Sequence, residues 1–490
     1  MRTALLALVT VTSLMTAPVA AAPVAAARSA PNLTALTRVS SDPFTDSGSS
    51  HATEVEPDTY AAGSTIVGAF QAGRSFGGGS SDIGWVTSHD AGRHWSRGFL
   101  PDTVSSRGPY ARISDPAVAY DRKYRTWLIS GLTVSAATVG TGVVVNRSAD
   151  ALHWSKPVRV YAVAAGGFAD KDWITCDNTP SSRHYGNCYA EFDLASAGDL
   201  LMMSVSVNGG RTWMSPKPAA DRANGLGGQP LVQPDGRVVV PYLGFGSSDF
   251  IGSFVSANGG ASWSAHHVVS AVHMALDGGG IRNEPLPSVQ QDASGKVYVV
   301  WDDCRFRAGC RSNDIVLSTS KNGTAWTHVV RIPLGSVAGA ADHMIPGIGV
   351  QPGTSGSRAK IAIYYYYYPD NACDLKTCRL YVGYVSSVNG GRTWSAPIQV
   401  GGPTLLGRIV PTSIGRMVGD YIGTAIASGR AFALVAMGLP VTGHEMFNEP
   451  MVVVARGERI TGGPHAVQSA VPGAPPAGHV PVSPVPPRRF

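Results

Sequence analysis

The sequence predicts an all-β fold, and in particular a β-propeller whose blades have about four strands each. Three observations support this prediction. A turn motif recurs along the chain at blade-like intervals, the residues before each turn alternate between two faces, and glycine (58 residues) and proline (34 residues) are both frequent. Charged residues make up only 15% of the chain, which suits many short strands and turns better than long helices.

The recurring motif has the form S-x-D/N-x-G-x-x-W. Asp or Asn followed by Gly forms a tight turn, because the side chain bonds nearby amides and Gly accepts a positive φ. The closing Trp is large enough to pack one hairpin against its neighbour. The copies occupy residues 88–95, 206–213, 256–263 and 387–394, with copies one residue shorter at 148–154 and 320–326. Turn formation accounts for these Asx residues, so we expect no catalytic role for Asp90, Asn208, Asn258, Asn322 and Asn389.

The copies resemble the Asp-box, or BNR, repeats of the sialidase superfamily. In that family the box joins the third and fourth strands of a blade, at the edge away from the ligand site. The resemblance covers almost the whole chain and implies Asp-box hairpins within propeller blades.

A second pattern, a short opening strand followed by a stronger strand, gives the number of blades. It occurs at residues 56–57, 115–121, 172–173, 229–230, 286–292, 345–346 and 419–421. These openings favour seven blades, the last being roughly residues 416–456 without a box. Because there are only six boxes, six blades stay as the alternative.

The two ends of the chain are predicted to lie outside the propeller. Residues 1–27 have a positive start, an apolar stretch and then small residues, which is the pattern of a signal peptide. Residues 28–50 are predicted to be a linker, 51–462 the propeller and 463–490 a proline-rich disordered tail. No other stretch approaches the roughly 20 apolar residues of a membrane span. We therefore expect a secreted, extracellular monomer.

The six cysteines form three close pairs in the sequence: Cys176 with Cys188, Cys304 with Cys310, and Cys373 with Cys378. An exported chain meets an oxidising environment, which favours three local disulfides. Zinc binding is the competing interpretation, but no pair has the C-x2-C spacing of a zinc site.

Charge and motifs narrow the classes of function. The net charge of +6 is small for 490 residues, and no run of Lys or Arg indicates nucleic-acid binding. The sequence has no G-x-S-x-G, H-E-x-x-H or Walker motif, which argues against those hydrolases and nucleotide sites. A weakly basic surface is compatible with anionic glycans.

Candidate site residues cluster at the openings, where a propeller places ligands over its channel. The resemblance implies Tyr421 as nucleophile, Glu284 as its activating base and Arg305 as a clamp for a substrate carboxylate. The acid/base candidates are Asp115 and Asp170. The remaining candidates for substrate binding are Arg416, His343, Asp172 and Asp420. The Arg-Ile-Pro sequence that supplies the family's first clamp arginine near its N-terminus is missing from that part of this chain, where residues 112–116 (RISDP) are the nearest match.

These residues predict a protein that acts on extracellular glycans, as an exo-acting glycoside hydrolase of the sialidase type. A non-catalytic propeller that binds a glycan or a cell surface is one alternative. A polysaccharide lyase that uses His343 and Tyr421 on uronic-acid polymers is another. No cofactor is predicted, and a Ca²⁺ ion held by channel carboxylates stays an open alternative.

Overall fold

The computed structural model describes residues 36–104, 108–441 and 443–469. The predicted signal peptide lies outside the described residues, as do 28–35 of the predicted linker and 470–490 of the predicted tail. The only helices in the described ranges are five three-residue 3-10 turns: Ala195–Ala197, Gly278–Gly280, Ala308–Cys310, Gly356–Arg358 and Leu406–Arg408. Within those ranges, no helix is long and apolar enough to cross a membrane.

The described strands form nine antiparallel sheets, and in chain order we divide them into seven groups, preceded by β1 (Leu36–Arg38). Groups 1 and 2 share one eight-stranded sheet, and group 7 contains two three-stranded sheets. Group 1 contains β2 (Ser50–Ala62), β3 (Thr65–Arg74), β4 (Ser80–Ser88) and β5 (Ser96–Phe99). Group 2 contains β6 (Arg112–Asp121), β7 (Thr126–Val134), β8 (Gly140–Ser148) and β9 (Val158–Ala162). Group 3 contains β10 (Ala169–Cys176), β11 (Cys188–Leu194), β12 (Leu200–Ser206) and β13 (Lys217–Pro218).

The next groups follow the same order. Group 4 contains β14 (Gly225–Leu226), β15 (Leu231–Val232), β16 (Val238–Gly244), β17 (Phe250–Ser256) and β18 (His267–Ala271). Group 5 contains β19 (Ser288–Gln291), β20 (Val297–Asp303), β21 (Asp314–Ser320) and β22 (Val330–Arg331). Group 6 contains β23 (Asp342–Val350), β24 (Ile361–Tyr368), β25 (Arg379–Ser387), β26 (Thr393–Trp394) and β27 (Ile398–Leu405).

Group 7 is built from both ends of the described chain. After a small hairpin of β28 (Pro411–Thr412) and β29 (Gly415–Arg416), it contains β30 (Ala425–Ala427), β31 (Arg430–Phe432), β32 (Val435–Ala436), β33 (Met451–Val454) and β34 (Glu458–Arg459). The first strand, β1, pairs antiparallel with β33, with Leu36 opposite Val454. Two short strands follow, β35 (His465–Ala466) on β26 and β36 (Gln468–Ser469) on β22. Sheet pairing therefore extends beyond both predicted boundaries, into the segments predicted as linker and tail.

One strand near the start of each group contacts its counterparts in the neighbouring groups in cyclic order: β2, β6, β10, β15, β19, β23, β30 and again β2. In every group but the fourth, this is the first strand. They surround a polar cavity of about 200 Å³, which we call the central channel. Its lining comes from all seven groups and includes Asp58, Val118, Trp173, Gln229, Ser288, Ile348 and Thr424.

Apolar side chains fill the spaces between neighbouring groups. Leu132 and Val143 of group 2 share one buried cluster with Ile174 and Phe192 of group 3. The largest cluster joins groups 6, 7 and 1. Burial of each such side chain stabilises the fold by about 1.5–3 kcal/mol, so the seams between groups carry much of the stability. These features confirm the predicted all-β fold of antiparallel sheets.

The turn motif behaves as the sequence predicts. In the first copy, the Asp90 carboxylate accepts hydrogen bonds from the amides of Arg93 (3.0 Å) and His94 (2.9 Å), and from the Ser88 hydroxyl (2.9 Å). Because the carboxylate is hydrogen-bonded within the turn, the predicted structural role of Asp90 is confirmed. The three predicted disulfides are also present, Cys176–Cys188, Cys304–Cys310 and Cys373–Cys378.

Candidate functional site

Bulges at the start of four first strands turn individual side chains out of the sheet. The register slips between Val55 and Asp58 in β2, and similar slips occur in β6, β10 and β23. The bulge residues have positive φ: Glu56 (53°), Asp115 (51°), Lys171 (40°) and Ile345 (51°). A bulge re-aims a side chain, and a non-glycine residue at positive φ costs about 1–3 kcal/mol. Four of the seven openings predicted from the sequence are therefore at bulges, and three of these four bulges present a charged group.

Two of these charged groups, Asp115 and Lys171, line a depression that we call the entrance pocket, with a cavity volume of about 40 Å³. Glu56 does not line the pocket itself but interacts with Asp420 of its floor. Polar residues on its wall and floor are Arg74, Ser114, Asp115, Asp170, Lys171, Arg282, Glu284 and Asp420. Apolar residues line the rest: Leu132, Val134, Phe168, Leu226 and Ile414. The pocket takes residues from six of the seven groups or the connections before them, so the ring of groups assembles it.

Hydrogen bonds tie the floor of the pocket together. The Arg282 guanidinium donates to the Asp420 carboxylate, and the Gln71 amide donates to the Glu56 carboxyl. The Arg74 guanidinium donates to the Gln71 side-chain oxygen (2.9 Å). The carboxyl groups of Glu56 and Asp420 also interact directly, and this interaction helps to lower the pKa of Asp420. The last pair forms a dyad, which we call the Glu56–Asp420 dyad.

Five buried polar atoms of the floor have no hydrogen-bond partner within the described part of the chain. They are Glu56 Oε1, Arg74 Nε, Lys171 Nζ, Arg282 Nε and Asp420 Oδ1. Buried polar atoms in folded proteins nearly always have a partner, which can be water or a ligand. The floor therefore offers both donors and acceptors to a molecule in the pocket.

The two carboxyl groups of the dyad have opposite pKa shifts. Burial raises the pKa of Glu56 well above its usual value, and the charges of Asp115 and Asp420 raise it further. Burial also acts to raise the pKa of Asp420, but Arg282 and Lys171 outweigh it and the pKa is lowered. Glu56 therefore holds a proton under conditions where Asp420 is ionised, which is the arrangement of an acid–base pair.

Two of the three cationic groups, Lys171 and Arg282, have raised pKa values that favour their charged forms. Burial acts to lower the pKa of Lys171, but Asp115, Glu56 and Asp420 outweigh it and the pKa is raised. The pKa of Arg282 is likewise raised against the effect of burial, mainly by Asp420. Burial lowers the pKa of Arg74, and the nearby charge of Arg282 lowers it further. The two guanidinium groups are thus close enough to repel each other.

Tyr421 lies under the floor rather than in the pocket. Its hydroxyl donates to the Pro116 carbonyl (3.0 Å), and its ring packs edge-on against Trp173. The Lys171 ammonium lies 3.5 Å from the centre of the Tyr421 ring. Burial raises the pKa of Tyr421 well above its usual value, and the charge of Glu56 adds to this. A nucleophilic tyrosine needs the opposite environment, so the structure gives no support to the nucleophile role predicted for Tyr421.

The predicted site residues divide into two sets. Asp115, Asp170, Glu284 and Asp420 line the entrance pocket together. Asp172 is fully buried beside Lys171, and burial raises its pKa well above the usual value. Arg305, Arg416 and His343 are not among the pocket residues.

Each of those three has a local partner instead. The Arg305 guanidinium binds the Asp303 carboxylate (2.9 Å), two residues before it. The Arg416 guanidinium donates to the Ile409 carbonyl (2.5 Å). His343 lies 3.5 Å from the carboxylate of Asp314, in a buried network with two arginines. Arg305 is therefore not placed to clamp a ligand in the pocket.

Four residues of the site are absent from the set predicted from the sequence: Glu56, Arg74, Lys171 and Arg282. Glu56 and Lys171 stand at openings, so the bulge pattern was the signal that could have found them. Arg74 ends β3 and Arg282 lies in the connection before β19, where no repeat marks them. The only His, Cys, Asp or Glu group with mutual metal-ligand distances in the described ranges is Asp121 with Cys176 and Cys188, whose sulfurs form a disulfide.

Comparisons with known proteins give similarity at low identity. No protein-family model matches the chain, and no curated protein matches it. A protein of unknown function from Dyadobacter fermentans is 14% identical, with 72% of this chain and 100% of that chain covered and a TM-score of 0.46. An ulvan lyase of polysaccharide lyase family PL25, solved with -[GlcA(1-4)Rha3S]-, is 11% identical, with 89% and 98% covered and a TM-score of 0.49. Trypanosoma rangeli sialidase with the inhibitor DANA is 12% identical, with 85% and 58% covered and a TM-score of 0.43.

Proposed function

We propose that the seven strand groups are the blades of a β-propeller and that β1 completes the seventh blade. The cyclic contacts of the first strands support this count, as does a channel lined from all seven groups. Group 7 has no box motif, but its strand β30 contacts both β2 and β23. In a six-bladed propeller, groups 6 and 1 would be direct neighbours, and β30 could not lie between β23 and β2.

We propose that the entrance pocket binds one end of an extracellular glycan and that the chain cleaves it as an exo-acting glycoside hydrolase. The observation that carries this proposal is the buried floor with five unpartnered donors and acceptors. Sugar hydroxyls both donate and accept hydrogen bonds, so a sugar ring satisfies such a mixed floor. The three disulfides support an extracellular setting.

The Glu56–Asp420 dyad supplies the acid–base chemistry of the proposal. Glycosidases that use two separate carboxyl groups hold them about 5–9.5 Å apart. The two dyad carboxyls interact directly, which places them closer than this, so they act as one proton-holding unit rather than as the two catalytic groups. The second group then comes from a carboxyl group on the pocket wall, Asp115, Asp170 or Glu284.

The cations of the pocket favour a sugar that carries a carboxylate. Arg74, Lys171 and Arg282 each have a side-chain nitrogen without a partner in the described residues, and all three atoms are buried. A guanidinium pairs well with a carboxylate, and the pair is strong where water is excluded. Sialic and uronic acids share this group, so the proposed substrate class is the terminal acidic sugar.

The first test compares fluorogenic sialoside, glucuronide and neutral glucoside substrates with the purified chain. Glu56→Gln removes the proton of the dyad, and we expect a loss of about 10²–10⁴-fold in turnover. Tyr421→Phe keeps the ring under Lys171 and should retain most activity. Arg305 lies outside the pocket, so the Arg305→Lys variant serves as the matched control and should keep full activity.

The outcomes separate the mechanisms. Activity that survives in Glu56→Gln but vanishes in Tyr421→Phe would restore the tyrosine nucleophile and refute the dyad. Calorimetric binding of the free acidic sugar without turnover would make the chain a non-catalytic glycan-binding propeller, which the same floor supports. Neither turnover nor binding would overturn the proposed function. A lyase based on His343 has no support, because its ring is engaged with Asp314 outside the pocket.

A further inference from the structure

A group of basic side chains lies at the end of groups 2 and 3 that is far from the entrance pocket. Ser114 and Asp115, near the start of β6, line the pocket, whereas Lys123 and Tyr124 follow the end of the same strand. A strand rises about 3.3 Å per residue, so the distance from Asp115 to Lys123 is roughly 25 Å. A molecule held by these basic side chains is therefore outside the pocket.

Two aromatic rings organise these cations. The Lys123 ammonium lies 5.4 Å from the centre of the Tyr124 ring and 5.9 Å from the centre of the Tyr185 ring, and it donates to the Tyr185 carbonyl (2.9 Å). The Arg211 guanidinium lies 6.0 Å from the centre of the Tyr124 ring. The Arg147 guanidinium donates to a backbone carbonyl of the turn that carries Arg211 (2.6 Å). These contacts bring five side chains from groups 2 and 3 to one place, which we call the basic surface.

The basic surface is open to solvent, and further cations extend it. Lys123 and Arg211 are exposed, and Arg147 is half-buried. Three other exposed arginines lie on the same two loops as Lys123 and the second tyrosine: Arg122, Arg125 and Arg183. The ion pairs found in the described ranges involve none of these six cations. Their charges are therefore available to an anion in solution.

Two buried carboxyl groups beneath the basic surface shape the loops that carry it. Asp121 accepts hydrogen bonds from the backbone amides of Lys123 (2.9 Å) and Tyr124 (3.1 Å). Asp177 accepts a hydrogen bond from the Ser182 hydroxyl, within the loop that carries the second tyrosine. Both carboxyl groups are thus engaged in holding backbone and side chains of the loops, and the cations above them keep their charges exposed.

The chemistry of the basic surface favours an acidic polysaccharide over a nucleic acid. Proteins that hold single-stranded nucleic acid stack the bases on aromatic rings. Here cations already cover the rings of Tyr124 and Tyr185, and the Tyr124 hydroxyl donates to the Val207 carbonyl (2.8 Å). Carboxylate and sulfate groups pair well with exposed guanidinium and ammonium groups. The Val207 side chain, 44% exposed, adds an apolar contact for the C–H face of a sugar ring.

We propose that the basic surface binds an acidic polysaccharide through its carboxylate or sulfate groups and so tethers the chain to an extracellular polymer. Several weak contacts to one polymer reinforce one another, because each later contact forms within the same complex. The tether acts at the end of the strands away from the entrance pocket and leaves the pocket open. This inference goes beyond the proposed glycosidase activity and stands whether or not that activity is found.

Calorimetry of the purified, full-length mature chain with polygalacturonate, dextran sulfate and neutral dextran tests the proposal. We expect both acidic polymers to bind and neutral dextran not to bind, and we expect added salt to weaken the binding because it screens exposed charges. The double variant Lys123→Gln with Arg211→Gln removes two cations of the basic surface. Its affinity for the acidic polymers should fall about 30-fold, since each cation near an anionic surface contributes about fivefold.

The matched control is the double variant Arg358→Gln with Arg392→Gln, which removes the same amount of charge. Arg392 stands in an SVNGGRTW turn identical to that of Arg211, and Arg358 lies in a segment hydrogen-bonded to the turn of Arg392. Both control arginines are exposed, and this variant should keep the affinity of the parent. An equal loss of affinity in the two double variants would overturn the proposal, because net charge alone would then account for binding.

Further variants separate the basic surface from folding and from the entrance pocket. Lys123→Arg with Arg211→Lys keeps both charges and should retain the affinity and the unfolding temperature of the parent. Glu56→Gln changes the acid–base dyad beside the pocket and should bind both acidic polymers as the parent does, whatever its glycosidase activity. Loss of polymer binding in Glu56→Gln would place the polymer at the pocket and overturn the proposal. No binding of either acidic polymer by the parent would overturn it too, as would tighter binding of DNA or of phosphatidylserine vesicles.

Discussion

The buried ion pair of Arg282 and Asp420 gives a measurable coupling energy. The two side chains are only 12% and 6% exposed, and the Arg282 guanidinium donates directly to the carboxylate. Removing one partner of a buried pair leaves an unbalanced charge and costs about 3–5 kcal/mol. Asp420 keeps Lys171 as a second cation, so we expect about 3 kcal/mol for Arg282→Met.

A double-mutant cycle isolates the pair. If Asp420→Asn also costs about 3 kcal/mol, then Arg282→Met with Asp420→Asn should cost clearly less than the sum, with a coupling of about 2–3 kcal/mol. Urea unfolding followed by tryptophan fluorescence measures each free energy of unfolding. The matched control is the exposed pair Lys156 and Asp102 (3.8 Å apart), for which we expect under about 1 kcal/mol. Additivity within about 0.5 kcal/mol at the buried pair would refute the reasoning.

Three further predictions concern stability. Burial raises the pKa of Glu54 to about 7 from an ordinary 4.5, so the folded chain holds the Glu54 proton more tightly than the unfolded chain. The resulting stabilisation, about 3 kcal/mol, is complete below pH 4.5 and is lost as the pH rises to 7. The urea midpoint of unfolding should therefore fall across this range, and should fall less steeply in Glu54→Gln. Trp394 is fully buried, so Trp394→Ala should lower the free energy of unfolding, measured in urea, by about 3–5 kcal/mol. Trp95 is half-buried, so Trp95→Ala should lower it clearly less. Equal losses of free energy in the two variants would contradict the packing described. Deleting the chain through residue 38 removes the pairing of β1 with β33 and should lower the free energy of unfolding by about 3 kcal/mol, at about 1 kcal/mol per lost hydrogen bond; an unchanged unfolding midpoint would show that β1 is not part of the seventh group.

The parts of the structure that the sequence predicts are local in the chain. The turn motif predicts its own hydrogen bonds, because Asp90 bonds amides three and four residues away. The disulfides are predicted because each joins cysteines separated by 5 to 12 residues. The openings at Asp115 and Asp420 also place those residues in the pocket. Repetition reveals the turns and the openings, and short separation in the chain reveals the disulfides.

The parts that the sequence does not predict depend on partners that are distant in the chain. Arg282 and Asp420 are separated by 138 residues, and no repeat marks Arg282. Arg305 follows Asp303 so closely that a local ion pair competes with any role in the pocket. Tyr421 stands at the expected opening, but the direction of its hydroxyl is set by the Pro116 carbonyl, 305 residues earlier. Side-chain direction and pairing are thus decided by assembly of the whole ring.

The pairing of β1 with β33 has a consequence for biosynthesis. A chain synthesised from its N-terminus delivers Leu36–Arg38 first and Met451–Val454 only after all six intervening groups. During that interval β1 has no partner strand, and the first group lacks the neighbour on which Phe70 and Ile66 pack. Exposed edges and unpaired apolar faces promote aggregation. We therefore expect chains that stop short of group 7 to aggregate more readily than the full-length chain.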